Sequence, residues 1–166
     1  MPGYTEIWGL GNLLQFFREY GGGPFRVLFH PSRGTLLVDG KKTSAREYEF
    51  DACCRIVFEL GELVFCVDEI WRFCTASWMP PALDDLVLMG RTPGVTLLYT
   101  AQRPQEVSRA LTSQTTRFAV FRIQEQADLD AIRARLPAEA FDLVPRLQNR
   151  QHIARDEENR WELVTG

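Results

Sequence analysis

The chain has 166 residues, 45% of them hydrophobic, and a formal charge of −3 from 22 acidic and 19 basic side chains. That length buries about 70% of the surface of the unfolded chain, so one compact domain is the expectation. The mild acidity excludes a nucleic-acid binder that works through overall basicity.

No stretch approaches the roughly 20 apolar residues of a bilayer span. Met1 to Glu6 lack the cationic start of a secretory leader. Cys53, Cys54, Cys66 and Cys74 form no C-x-x-C pair, which argues against zinc and against a disulfide framework. The chain reads as cytoplasmic and soluble.

Leu13, Leu14, Phe16 and Phe17 recur at helical spacing within Leu10 to Tyr20, and Gly21, Gly22, Gly23 and Pro24 end that helix. F-R-V-L-F at 25 to 29 is a strand between prolines. Residues 32 to 43 read as loop, with T-L-L-V at 35 to 38 as a possible edge strand. Ser44, with Glu47 three residues on, caps a helix that runs to Gly61.

L-V-F-C-V at 63 to 67 is a buried strand with Cys66 inside it, and it ends on Asp68 and Glu69. Pro80 and Pro81 open the next helix, and Gly94 precedes a second apolar strand, Val95 to Tyr99. Two such strands separated by a helix indicate a parallel α/β sheet. A helix after Pro104, a strand at 118 to 123, helices at 128 to 136 and 138 to 147, and a hairpin of 152 to 155 with 160 to 164 complete the chain.

Two parallel strands end on the same side of their sheet, which places Asp68-Glu69 and T-A-Q-R-P at 100 to 104 together, where α/β sheets bind ligands. Asp68 suits a Mg²⁺ shell and Glu69 can polarise an attacking water. Gln102 can hydrogen-bond that water or a terminal phosphate. Arg103 and Arg91 are candidate cations for transition-state charge. Each has a plainer account, since strand-end carboxylates also cap helices and surface arginines are mostly solvated.

G-E-L-V-F-C-V-D-E-I-W-R-F at 61 to 73, G-R-T-P-G-V-T-L-L-Y-T-A-Q-R-P at 90 to 104 and R-F-A-V-F-R-I at 117 to 123 together resemble the HerA/FtsK group of P-loop ATPases. That group includes DNA translocases, phage packaging ATPases and Zot-like assembly proteins. The resemblance covers roughly residues 24 to 135, with F-R-V-L-F-H-P at 25 to 31 as a weaker upstream match.

It implies a mainly parallel RecA-like sheet flanked by helices, with Asp68 as the Walker B metal carboxylate, Glu69 as catalytic glutamate and Gln102 as sensor. It also implies ATP and Mg²⁺ as cofactors, DNA as a partner, and assembly as a homo-oligomer such as a hexamer. On this reading residues 1 to 24 form an N-terminal helical segment, 25 to 135 the core, and 136 to 166 a C-terminal helix and hairpin.

The family's phosphate loop, G-x-x-x-x-G-K-[ST], does not occur among the 166 residues. Gly34 and Gly40-Lys41-Lys42-Thr43 imitate it, but the glycine spacing is one residue too long, an extra lysine interrupts the motif, and Leu36, Leu37 and Val38 fill it. The expectation is a partial ATPase domain that lacks the first strand and phosphate loop, with their place upstream of Met1.

Three functions follow. The chain is the C-terminal part of a DNA-translocating or packaging motor, or a degenerate ATPase-like assembly subunit, or an unrelated flavodoxin-like domain in which the two acids cap. Trp8, Trp71, Phe73 and Trp78 read as core or interface anchors, with 71 to 78 as the stretch best placed to meet a base.

Overall fold

The computed structural model describes residues 3–166, so Met1 and Pro2, where the leader would begin, lie outside the described residues. The chain divides into two compact units. One comprises Met1–Phe65 and Pro80–Leu97, the other Cys66–Met79 and Leu98–Gly166.

The first unit opens with strand β1 (Thr5–Trp8), which pairs in parallel with β2 (Val27–His30). Between them lies helix α1 (Leu10–Glu19). Periodicity does not announce β1, because Ile7 is its only buried residue. A four-residue strand with one inward side chain carries too little alternation to read.

Strands β3 (Thr35–Val38) and β4 (Lys41–Ser44) form an antiparallel hairpin. Its turn is Asp39-Gly40, both at positive φ (50° and 76°), as the tight turn of a two-residue hairpin requires. The region read mainly as loop is therefore ordered by an Asp-Gly turn. The G-K-K-T imitation of a phosphate loop is the start of a β-strand.

Ser44 caps helix α2 (Ala45–Leu60), its hydroxyl accepting the Glu47 N–H at 3.4 Å. The helix buries Ala45, Phe50, Cys53, Cys54 and Val57. Buried Glu49 is satisfied by the Ser32 N–H at 2.6 Å. Asp51 Oδ1 accepts the Ala82 N–H at 3.0 Å, which ties α2 to the first turn of helix α3 (Pro81–Met89) and satisfies a donor that a helix start leaves orphaned. Ala82, Leu83 and Leu86 pack inward from α3. Burial pushes the Cys53 thiol up to about 12 and the Cys54 thiol higher still, so both are inert hydrophobes in this core.

Strands β5 (Val64–Val67) and β6 (Thr96–Tyr99) pair with each other. Thr96 N–H donates to Leu63 C=O at 2.9 Å and Thr100 N–H to Val67 C=O at 3.0 Å; the constant offset makes the pair parallel. Gly61 admits β5, since at φ 60° an added Cβ would stand 2.5 Å from the Pro93 carbonyl oxygen. The two strands read as fully buried runs, but Cys66 and Leu98 are exposed while Val67 is buried. Their apolar character therefore serves only one face.

The second unit has its own core. Strand β7 (Phe118–Val120) pairs antiparallel with β8 (Gln151–Arg155), and β8 with β9 (Trp161–Thr165), the hairpin that the polar turn predicts. Helix α4 (Arg109–Gln114) precedes this sheet, and α5 (Gln126–Arg133) and α6 (Ala138–Phe141) follow β7. Val120, Leu129, Ile132, Leu136, Val144 and Ile153 share one apolar cluster. The helix expected over 138 to 147 is broken into α6 and a 3-10 turn at Val144–Arg146. Pro145 in that turn has no N–H with which to continue an α-helix.

Among the described residues no helix is long and apolar enough to cross a membrane.

Candidate active site

The candidate site is built at the carboxyl ends of β5 and β6 within the second unit. Val67 is buried, and the chain then turns sharply, because Glu69 adopts the left-handed conformation at φ 56°, ψ 54°. A glutamate pays roughly 1 kcal/mol to sit there, and such positions concentrate at functional turns. The 3-10 turn Ile70–Arg72 follows, anchored by Ile70, which is fully buried. Ile70 N–H donates to the Thr100 carbonyl at 3.0 Å.

One hydroxyl links the Asp68 carboxylate to the Glu69 backbone. Thr100 Oγ1 donates to Asp68 Oδ1 at 2.5 Å and accepts the Glu69 N–H at 3.0 Å. Asp68 is exposed, with Oδ2 outside this bond, whereas Glu69 is half-buried. The Glu69 carboxylate accepts the Trp71 indole N–H.

Gln102 and Arg103 continue from Thr100 in an exposed loop. Arg103 Nε lies 3.3 Å from Asp128 Oδ2, and the Asp128 side chain is only 4% exposed. Asp128 Oδ1 also accepts the Gln105 N–H at 3.1 Å. One buried carboxylate from α5 thus fixes the loop that presents Gln102. Behind it, the Tyr99 hydroxyl bonds Thr115 Oγ1 at 2.6 Å, and burial raises the Tyr99 pKa above its ordinary value.

The structure therefore brings Asp68 and Glu69 together through Thr100, and places Gln102 and Arg103 on the adjoining loop. Arg91 belongs to the first unit, in an exposed turn before β6. Trp78 is exposed, and Trp8 is exposed and stacked on His30 with ring centroids 5.1 Å apart. Sequence reasoning assigned no role to Thr100 or Asp128, and it read Trp71 as a core or interface anchor in a stretch placed to meet a base. The threonine had a usable signal, since a hydroxyl residue ending a strand beside an acid-ended strand can bond across. Asp128 had none, because its partners lie 23 and 25 positions away in sequence.

Among the described residues no group of three or more His, Cys, Asp and Glu side chains is arranged to hold a metal ion. The donor set still fits Mg²⁺, which keeps several waters and takes one or two carboxylates together with substrate phosphate. Asp68 Oδ2 and Glu69 Oε1 both lie outside the bonds made by Thr100 and Trp71, and Asp68 is the more exposed of the two residues.

No protein-family model matches the chain, and no curated protein matches its sequence. Solved structures do match its fold. The genome-packaging NTPase B204 of Sulfolobus turreted icosahedral virus 2 in complex with AMP aligns at a TM-score of 0.65 and 18% identity, covering 96% of this chain and 81% of that one. The chain has the fold of a genome-packaging NTPase.

The complex of B204 with ATP-gammaS aligns at a TM-score of 0.59 and 20% identity over 68% of this chain and 62% of that one. The DNA-packaging ATPase B204 of Sulfolobus turreted icosahedral virus aligns at 0.60 and 16% identity, covering 96% and 82%. The likeness to packaging ATPases that the motifs carry is thus met in a mixed α/β fold. The pairs β1-β2 and β5-β6 are parallel, but β3-β4 and β7-β8-β9 are antiparallel. Among the described residues the sheet structure is therefore not mainly parallel, which corrects the expectation from sequence. In the ATP-gammaS comparison this chain spans less than two thirds of the relative's length.

Proposed function

We propose that this chain carries the hydrolytic half of a nucleotide-driven DNA-packaging motor. The observation that carries the reading is the Thr100 hydroxyl bonded to both acidic residues across the strand ends. A hydroxyl that fixes a carboxylate and the next residue's backbone at once holds two groups in one geometry, and positioning of this kind lowers a barrier. The relatives of like fold are NTPases, one of them with ATP-gammaS bound.

In this reading Glu69 accepts the proton of the attacking water, with one carboxylate oxygen engaged by Trp71 and the other available. Asp68 holds Mg²⁺, which would neutralise developing charge on the phosphates. Gln102 donates its amide to the water or to the terminal phosphate. Arg103, paired with Asp128, steadies the loop more than it supplies a mobile cation, and Arg91 is the cation for a neighbouring subunit of a homo-oligomer. The phosphate grip comes from a G-x-x-x-x-G-K-[ST] segment that these 166 residues do not include.

The test is phosphate release by the product of the complete gene, with Mg-ATP and duplex DNA, comparing wild type with Glu69→Gln. DNA-stimulated release that falls at least about a hundredfold in the variant supports the reading. Equal rates in both would sink it.

A second reading, a non-catalytic assembly subunit, is favoured by one observation. Glu69 and Arg103 are both engaged by groups of their own chain. Equal rates in the same assay are its expected result.

A further inference from the structure

Glu69 is held twice, and the second hold is the more telling. Its N–H is bound by Thr100, while its carboxylate accepts the indole N–H of Trp71, two residues on. The indole rides on a braced turn. Ile70 is fully buried, Arg72 N–H donates to the Glu69 carbonyl at 2.9 Å, and Phe73 N–H donates to the Ile70 carbonyl at 2.9 Å. The Arg72 guanidinium stands 5.6 Å from the Trp71 ring centroid, so the ring is loaded by a cation from its neighbour as well.

A left-handed backbone fixes where the Glu69 side chain begins, but three torsions still separate it from its carboxylate. A hydrogen bond to an ionised oxygen is among the stronger kinds, and it removes that freedom. Indole nitrogen is a donor only, so Trp71 can hold the carboxylate and cannot take its proton.

We infer that Trp71 is a positioning residue for Glu69: it restrains one carboxylate oxygen and leaves the other to accept a proton from water. The inference rests on the reading of Glu69 as general base. Packing alone predicts a different outcome, because a phenyl ring at position 71 would fill most of the same space without an N–H.

Two measurements test it together. In the first, the indole nitrogens of the four tryptophans are labelled with ¹⁵N, and Trp71→Phe identifies the Trp71 resonance. In Glu69→Ala that resonance is expected to move more than those of Trp8, Trp78 and Trp161. A Trp71 resonance no more displaced than the others overturns the inference.

In the second, the complete gene product is assayed for DNA-stimulated phosphate release. Trp71→Phe is expected to lower kcat about tenfold and leave KM within about twofold. An unchanged kcat, a faster variant, or a rise in KM alone overturns the positioning role while Glu69→Gln remains inactive and the hydrolytic reading stands. A wild type without turnover breaks that reading itself. A Trp71 resonance that still follows Glu69 would then mark the contact as structural and overturn the positioning role with it.

Discussion

Two regions of this chain resemble parts of a nucleotide site in sequence, and they differ in what surrounds them. Asp68 and Glu69 end a strand whose neighbour ends on Thr100, and one hydroxyl joins them. Gly40-Lys41-Lys42-Thr43 runs from a hairpin turn into β4, where Lys41 is paired with Val38 and Thr43 with Leu36 in an extended strand. A phosphate loop needs free N–H groups facing a common point. The acidic region is held by hydrogen bonds from Thr100 and Trp71, whereas the basic region is an extended strand of a hairpin. A motif becomes a site when non-local contacts orient it.

The largest effect that would break this comparison is on rate. Glu69→Gln should reduce DNA-stimulated phosphate release by about 10² to 10⁴, while Lys41→Ala with Lys42→Ala should change it less than about twofold. A large loss in the lysine variant would restore the hairpin as a phosphate site. In the same direction, the 166 residues alone should show no micromolar ATP affinity in a calorimetric titration.

Stability gives the next tests. Gly61→Ala should cost about 1 to 3 kcal/mol in a denaturant melt, because the residue has positive φ and its Cβ would meet the Pro93 carbonyl oxygen. Gly40→Ala has a positive φ but open space, and should cost about 1 kcal/mol from the backbone alone. Equal losses at the two positions would show that the close approach at Gly61 is not a constraint.

Asp128→Asn should lie between these, at about 1 to 2 kcal/mol. It keeps an acceptor for Gln105 but weakens the charge-assisted bond to a half-exposed Arg103. Thr100→Val should cost only about 1 kcal/mol of stability, since the groups it frees can meet water. Its rate loss should exceed tenfold, because Asp68 and Glu69 would lose their shared anchor. A Thr100→Val protein with unchanged turnover would sharpen the comparison against the hydroxyl.

Much of the fold was legible from residues 44 to 104 because the signals there are local. Ser44, Gly61, Pro80 and Pro81 mark element ends by backbone chemistry that needs no tertiary partner. The acidic strand end was visible for the same reason. Strand β1 was not, with one inward residue, and the helix at 138 to 147 was overestimated by passing through Pro145. Residues 35 to 44 contained the Asp-Gly turn that orders them, a local signal outweighed by their lysine content.

By itself the sequence determined the type of the elements between residues 44 and 104, the position of the two carboxylates at a strand terminus and the T-A-Q-R-P loop after its neighbour, since period, capping and turn chemistry are properties of adjacent residues. Only the tertiary structure decided that Thr100 joins Asp68 to Glu69, that Trp71 holds the Glu69 carboxylate and that Asp128 fixes Arg103. The first and the last depend on segments 25 to 32 positions apart being brought within bonding reach. The second depends on a left-handed backbone at Glu69 that folds the side chain back on its own turn, which residue type alone does not dictate.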